Sequence, residues 1–174
     1  TDELSQANAR LSQINQDLQR LKESYRDLYH YAPVLYFGLD AQGSFMAFNE
    51  TMLRTLGYPR ETLLGMPYTR LLPAASRSAF LADPSVFQRP GELETQWIKE
   101  DGTVIDVWIA TTTIKDPEGR FVRSRSIARD VTERNRLEND LRAKAEELGE
   151  ANAQLRRINQ ELEDFTYVVS HDLK

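Results

Sequence analysis

Residues 92–130 read ELETQWIKEDGTVIDVWIATTTIKDPEGRFVRSRSIARD, and this stretch decides the fold. It divides into three strand-like runs, ELETQWIKE, TVIDVWIATTTIK and RFVRSRSIARD, preceded by Pro90-Gly91. Tight turns separate the runs at Asp101-Gly102 and at Asp116-Pro117-Glu118-Gly119. Asp, Pro and Gly supply the backbone geometries that a short reversal needs. Strands joined by such short turns pair antiparallel.

Upstream, residues 34–40 (VLYFGLD) predict a short buried strand, Ala41-Gln42-Gly43 a turn, and residues 44–49 (SFMAFN) a second strand closing a hairpin. Asn49 is placed to cap a helix whose third residue is Met52, with Leu53 and Leu56 following and Gly57 ending it. Short helical turns continue through Leu64, Leu72 and Phe80, punctuated by Pro59, Pro67, Pro73 and Pro84. The order β-β, small helices, β-β-β describes an α+β domain over residues 31–130.

Both ends of the chain carry a different pattern. Leu4, Ala7, Leu11, Ile14, Leu18, Leu21, Tyr25 and Leu28 recur at alternating spacings of three and four, with polar residues between them. So narrow a stripe cannot bury itself in a monomer, so residues 1–30 predict one helix of a two-stranded coiled coil. Pro33 closes the helical stretch. From Val131 the heptad returns with Leu137, Leu141, Leu148, Ala151, Leu155, Ile158, Leu162, Phe165 and Val169. Residues 131–174 would form a helix about 66 Å long.

The two ends are also similar in sequence. Residues 3–18 (ELSQANARLSQINQDL) and 147–162 (ELGEANAQLRRINQEL) agree at ten of sixteen positions in the same heptad register. Shared ANA and INQ triplets at equal register favour duplication of a sensor-plus-linker unit. A further, similar domain upstream is therefore expected, and a membrane anchor could precede it.

Composition narrows the function. The net charge is -5 and the pI about 5.2, so no nucleic-acid partner is predicted. The arginine clusters (Arg123, Arg125 and Arg129; Arg156 and Arg157) are flanked by acids and read as solvated faces. There are no cysteines, which excludes disulfides and thiolate metal sites and fits a reducing cytoplasm. No apolar run approaches the length needed to cross a bilayer.

Residues 28–134 resemble the PAS family. The resemblance rests on the apolar strand with Asp40 and Gly43 after it, Asn49 opening a helix, LGYPRETLLGMP, WIKEDGTVIDV and the closing ARDVTER. It implies a five-stranded antiparallel sheet with short flanking helices, here flanked by two long coiled-coil helices. In the family, the triplet matched by Asp130-Val131-Thr132 couples the sheet to the exit helix. Asp130 is placed to cap that helix and suits its positive end. The alternative is an ordinary helix cap without a signalling role.

The end of the chain, DFTYVVSHDLK, resembles the phosphoacceptor box of sensor histidine kinases. The chain then divides into the linker helix 1–30, the sensor 31–130, the signalling helix 131–164, and the start of the dimerisation and phosphoacceptor region at 165–174. The resemblance makes His171 the phosphorylated histidine and Asp172 the residue that orients its ring or accepts its proton. A neutral imidazole nitrogen attacks a phosphoryl group near pH 7 without prior deprotonation. If Val169 is at a, His171 falls at c, outside the seam, whereas Asp172 falls at d. The partners implied are a second copy through parallel coiled coils, an ATP-binding kinase domain using ATP as its cofactor, and a response regulator. This segment holds no phosphate loop after His171 and should be inactive alone.

The cue is less legible. Without cysteine, a cysteinyl-flavin or a thioester-linked bilin is excluded; haem held by histidine is not expected, because His30 and His171 lie outside the domain. No cofactor or metal is therefore predicted in this segment. Leu35, Phe37, Phe48, Leu56, Leu71, Phe80, Trp97 and Ile109 either line a pocket for a small ligand or simply fill the core. Ser124, Ser126 and Ala128 are small enough to leave space beside them. A pure dimerisation and interaction module, and a cofactor-bearing light or redox sensor, remain the alternative readings. In the exit helix, Arg134 at a, Lys144 at d and Gly149 weaken the seam, as a linker switching between two packings requires.

Overall fold

The structure is a computed structural model that describes the backbone of residues 2–172 and the side chains of residues 4–167. It divides into a unit ending at Val131 and a second unit beginning at Thr132.

The first unit opens with helix α1 (Asp2–His30). Strands β1 (Leu35–Leu39) and β2 (Phe45–Phe48) form the expected hairpin. Helices α2 (Glu50–Leu56), α3 (Arg60–Leu63) and α4 (Ala74–Ala82) follow, with 3₁₀ turns at Tyr68–Leu71 and Pro84–Gln88. The prolines that punctuate this stretch fall at the starts of these short elements: Pro59, Pro67 and Pro73 each precede one, and Pro84 opens one. Strands β3 (Gly91–Ile98), β4 (Val104–Lys115) and β5 (Phe121–Asp130) complete the sheet. All pairings are antiparallel and the strand order is β2-β1-β5-β4-β3. This is the five-stranded sheet that the resemblance implied.

One face of the sheet is buried by the short helices. On β4, Ile105, Val107, Ile109 and Thr111 point inward, and the residues between them are at least partly open to solvent. Period-two alternation of this kind is what a half-covered antiparallel sheet demands. On β2 the alternation fails: Phe45 and Phe48 are both buried. A register shift between Gly38 and Leu39 on β1 accounts for this, because one extra residue, Met46, is looped out toward solvent. Gly38 is needed there; a Cβ on it would lie 3.0 Å from the Ser124 carbonyl oxygen.

Helix α2 is built as the sequence predicts. Asn49 accepts a hydrogen bond from the Met52 N–H at 3.1 Å, and Gly57 ends the helix in the left-handed region at φ 80°. The second unit is helix α5 (Thr132–Asp172), 41 residues without a break, or about 62 Å. It passes residues 164 and 165 uninterrupted. No helix of the described residues is long and apolar enough to cross a membrane.

Candidate functional site

The sheet's covered face and the short helices enclose an aromatic interior. Phe37 is its hub, with ring centroids 5.7 Å from Phe45, 5.9 Å from Phe87 and 5.5 Å from Trp97. Tyr68 packs 4.7 Å from Phe87 and 5.2 Å from Phe80. Edge-on and tilted contacts of this kind gain quadrupole attraction beyond the area they bury. The indole N–H of Trp97 donates to the Tyr68 hydroxyl at 2.9 Å. Burial pushes the Tyr68 phenol well above the usual tyrosine range, opposed in part by that hydrogen bond. Tyr68 therefore stays neutral.

Seven of the eight residues expected to face the interior (Leu35, Phe37, Phe48, Leu56, Leu71, Trp97 and Ile109) are buried in one cluster. Phe80 is only partly buried and packs against its edge. Sequence reasoning missed Phe45, Tyr68 and Phe87. Phe45 was hidden by the bulge, and Tyr68 and Phe87 lie in single 3₁₀ turns too short for any periodicity.

The small residues of β5 do more than leave room. The Ser124 hydroxyl accepts from the Leu39 N–H at 3.0 Å, just where the pairing of β1 with β5 stops at Phe37. The Ser126 hydroxyl bonds the Thr111 hydroxyl at 2.9 Å, also in the interior. Each serine thus satisfies a buried polar partner as well as fitting a tight space.

On the opposite, open face lies a groove of about 670 Å³. Tyr25, Leu28 and Tyr29 of α1 form one wall; Tyr36, Ala110, Ile127, Arg123 and Arg125 lie on the sheet side. Tyr29 stacks tilted on Tyr36 at 5.4 Å. Its phenol is pushed up, chiefly by burial, while the Arg123 and Arg60 guanidiniums pull the other way. Sequence reasoning assigned the β5 arginines to a solvated face, and Arg125 is indeed exposed at this groove.

The PAS domain family matches residues 33–133, more than half of the chain. The chain belongs to the PAS family. Solved structures carry the same fold. A PAS domain of an HTR-like protein from Haloarcula marismortui shares 22% identity at TM-score 0.55, covering 68% of this chain and 98% of that one. A domain of a sensory box sensor histidine kinase/response regulator from Geobacter sulfurreducens shares 21% at TM-score 0.51, covering 65% and 96%. A sensory box histidine kinase/response regulator from Burkholderia thailandensis shares 18% at TM-score 0.54, covering 71% and 96%. No curated protein matches the chain.

The output end of the PAS domain is short. Asp130 is the last residue of β5 and pairs with Val107 on β4. Val131 is buried and its N–H donates to the Asp106 carbonyl at 2.9 Å. Thr132 opens α5, so Val131 rather than Asp130 stands immediately before the helix. His171 and Asp172 fall in the last turn of α5; their side chains, and Leu173 and Lys174, lie outside the described residues.

Proposed function

We propose that this chain is the sensory and transmitting segment of a two-component sensor histidine kinase. The PAS domain receives a change, α5 carries it, and His171 accepts a phosphoryl group from a separate ATP-binding domain before passing it to a response regulator. Asp172 orients the His171 ring or takes its proton. One observation carries the reading: a PAS domain runs through one residue into an unbroken helix of 41 residues that ends on the Ser-His-Asp of the phosphoacceptor-like string. Two of the structural neighbours come from sensor histidine kinases, which supports it further.

A homodimer follows from unmet burial. The seam residues of α1 are 55% (Ile14) to 75% (Leu28) exposed, and those of α5 run from 44% (Ile158) to 68% (Leu141). Burying such a stripe against a second copy recovers about 25 cal/mol for each Å² removed from water. In a parallel pair, Asp17 at g faces Lys22 at e of the second copy, an attractive pairing. We place the segment in the cytoplasm, where ATP is available and the absence of cysteine is no handicap.

The test is phosphotransfer. The chain is supplied with a histidine kinase ATP-binding domain and labelled ATP, with Asp172 left intact. Label that is acid-labile and lost in His171→Gln is the expected result. Incorporation unaffected by His171→Gln, or none with any such domain, would leave an interaction module as the better account.

A further inference from the structure

The incoming helix α1 meets the PAS core at a joint made of side chains. Asn49 is completely buried, and every hydrogen-bonding group of its amide is used. Its Nδ2 donates to the Tyr29 carbonyl at 2.9 Å and to the Val34 carbonyl at 3.0 Å. Its Oδ1 accepts from the Tyr36 and Met52 N–H groups, both at 3.1 Å. Its own backbone N–H donates to the Tyr36 carbonyl at 3.1 Å. One side chain therefore ties the last turn of α1, both ends of the entry into β1, and the first turn of α2.

Two residues on, the Thr51 hydroxyl repeats the pattern. It donates to the Ala32 carbonyl at 2.7 Å, with the His30 carbonyl next nearest at 3.3 Å, and accepts from Arg54 at 3.4 Å. Tyr29 stacked on Tyr36 closes the same corner. Helix capping explains only the Met52 bond. A serine or aspartate would cap α2 equally well, but neither offers the two amide protons that hold Tyr29 and Val34. The residue type at position 49 is set by α1 as much as by α2.

We propose that Asn49 and Thr51 form the joint through which α1 is held to the PAS core, so that a displacement of α1 is delivered to β1 and α2. The Tyr29 and Val34 carbonyls cannot shift without breaking bonds to a fully buried amide, and an unmet buried donor is costly. The amide moves with them, and with it the N–H groups of Tyr36 and Met52. Asn49 and Thr51 are positioning residues in this scheme. The proposal deepens the relay reading and rests on its assignment of α1 as the incoming helix.

The experiment is site-resolved amide hydrogen exchange on this chain. Leu21→Asp breaks the α1 seam about two turns before Tyr29 and serves as the input. With the joint intact, exchange at the Tyr36, Met52 and Leu53 amides should rise about fivefold. Thr51→Val and Asn49→Asp should each abolish that response, the latter because it keeps the cap on Met52 but replaces the two-proton donor with one oxygen facing two carbonyls. Thr51→Ser, which keeps the hydroxyl, should restore it. A merely structural role would raise exchange everywhere in the variants yet leave the response to Leu21→Asp intact, and that result overturns the joint. So does a wild-type joint that shows no response. No phosphotransfer is read, so a failure of the joint is distinct from a failure of His171 as acceptor.

Discussion

Residues 3–18 of α1 and 147–162 of α5 are similar in sequence, but the two helices join the PAS domain differently: α1 leads through residues 31–34 into β1, and α5 follows β5 after one residue. At the exit, β5 ends at Asp130, buried Val131 follows with its N–H bonded to the Asp106 carbonyl, and α5 begins at Thr132. The entry passes through a loop that would be slack without Asn49 and Thr51 holding its carbonyls. A junction built from hydrogen bonds can be strengthened, loosened or cut by single residues. The difference teaches that the input coupling of this domain rests on two side chains, and that Asn49, being wholly buried, cannot be cut from the joint without a cost to the fold.

The first way to break that contrast is to truncate both joints and compare the losses. Asn49→Ala leaves the Tyr36 and Met52 N–H groups and two carbonyls without their partner, and should cost about 3 kcal/mol or more. Val131→Ala removes part of one aliphatic side chain at the edge of the core, and should cost about 1 kcal/mol. Urea unfolding followed by fluorescence of Trp97, which is wholly buried, measures both. Equal losses would mean that the two attachments are energetically alike and the contrast is one of appearance.

The strands and helices were legible because each advertises itself by repetition. Tight turns fixed β3, β4 and β5 to within a residue or two, and the heptads fixed α1 and α5. The Asn49 cap was legible too, since a cap followed by apolar residues is a local signal. Its two donor bonds were not. They reach Tyr29 and Val34, 20 and 15 residues back, and a contact between a side chain and a distant carbonyl leaves no periodic trace. The aromatic interior divides in the same way. Phe37 and Trp97 follow from strand alternation, while Tyr68 and Phe87 come from single turns. Phe45 was masked by a bulge that only the pairing of β1 with β2 reveals.

The second contrast lies within the seams. Every a and d position of α1 from Leu4 to Leu28 is apolar, whereas α5 places Arg134 at a and Lys144 at d. Arg134 finds some compensation from Glu138, at 3.7 Å. Lys144→Leu makes α5 resemble α1 and should stabilise a dimeric seam by about 1–2 kcal/mol per copy through added apolar burial. In a complete kinase it should also fix His171 phosphorylation at one level regardless of signal. Leu18→Lys makes the reverse exchange in α1 and should weaken its seam while leaving the PAS core unchanged. Melting of the helical signal at 222 nm separates these outcomes. A signal response that survives Lys144→Leu would show that seam imbalance is not how α5 transmits.

The smallest effect sharpens the comparison most directly, because it uses matched positions. Gly149 of α5 corresponds to Ser5 of α1 in the repeated segment. Gly149 lies within α5, and a Cβ added to it would meet nothing within 4 Å. Gly149→Ala should therefore gain helix stability of about 1 kcal/mol with no steric penalty, and Ser5→Ala about half of that. If α5 is held near balance between two packings, Gly149→Ala should also slow amide exchange for a turn on either side, while Ser5→Ala alters only the turn of α1 that holds it. Equal, purely local effects at both positions would mean that the glycine is a neutral substitution left from duplication. A spread of protection along α5 alone would mark Gly149 as the place where the two copies diverged in function.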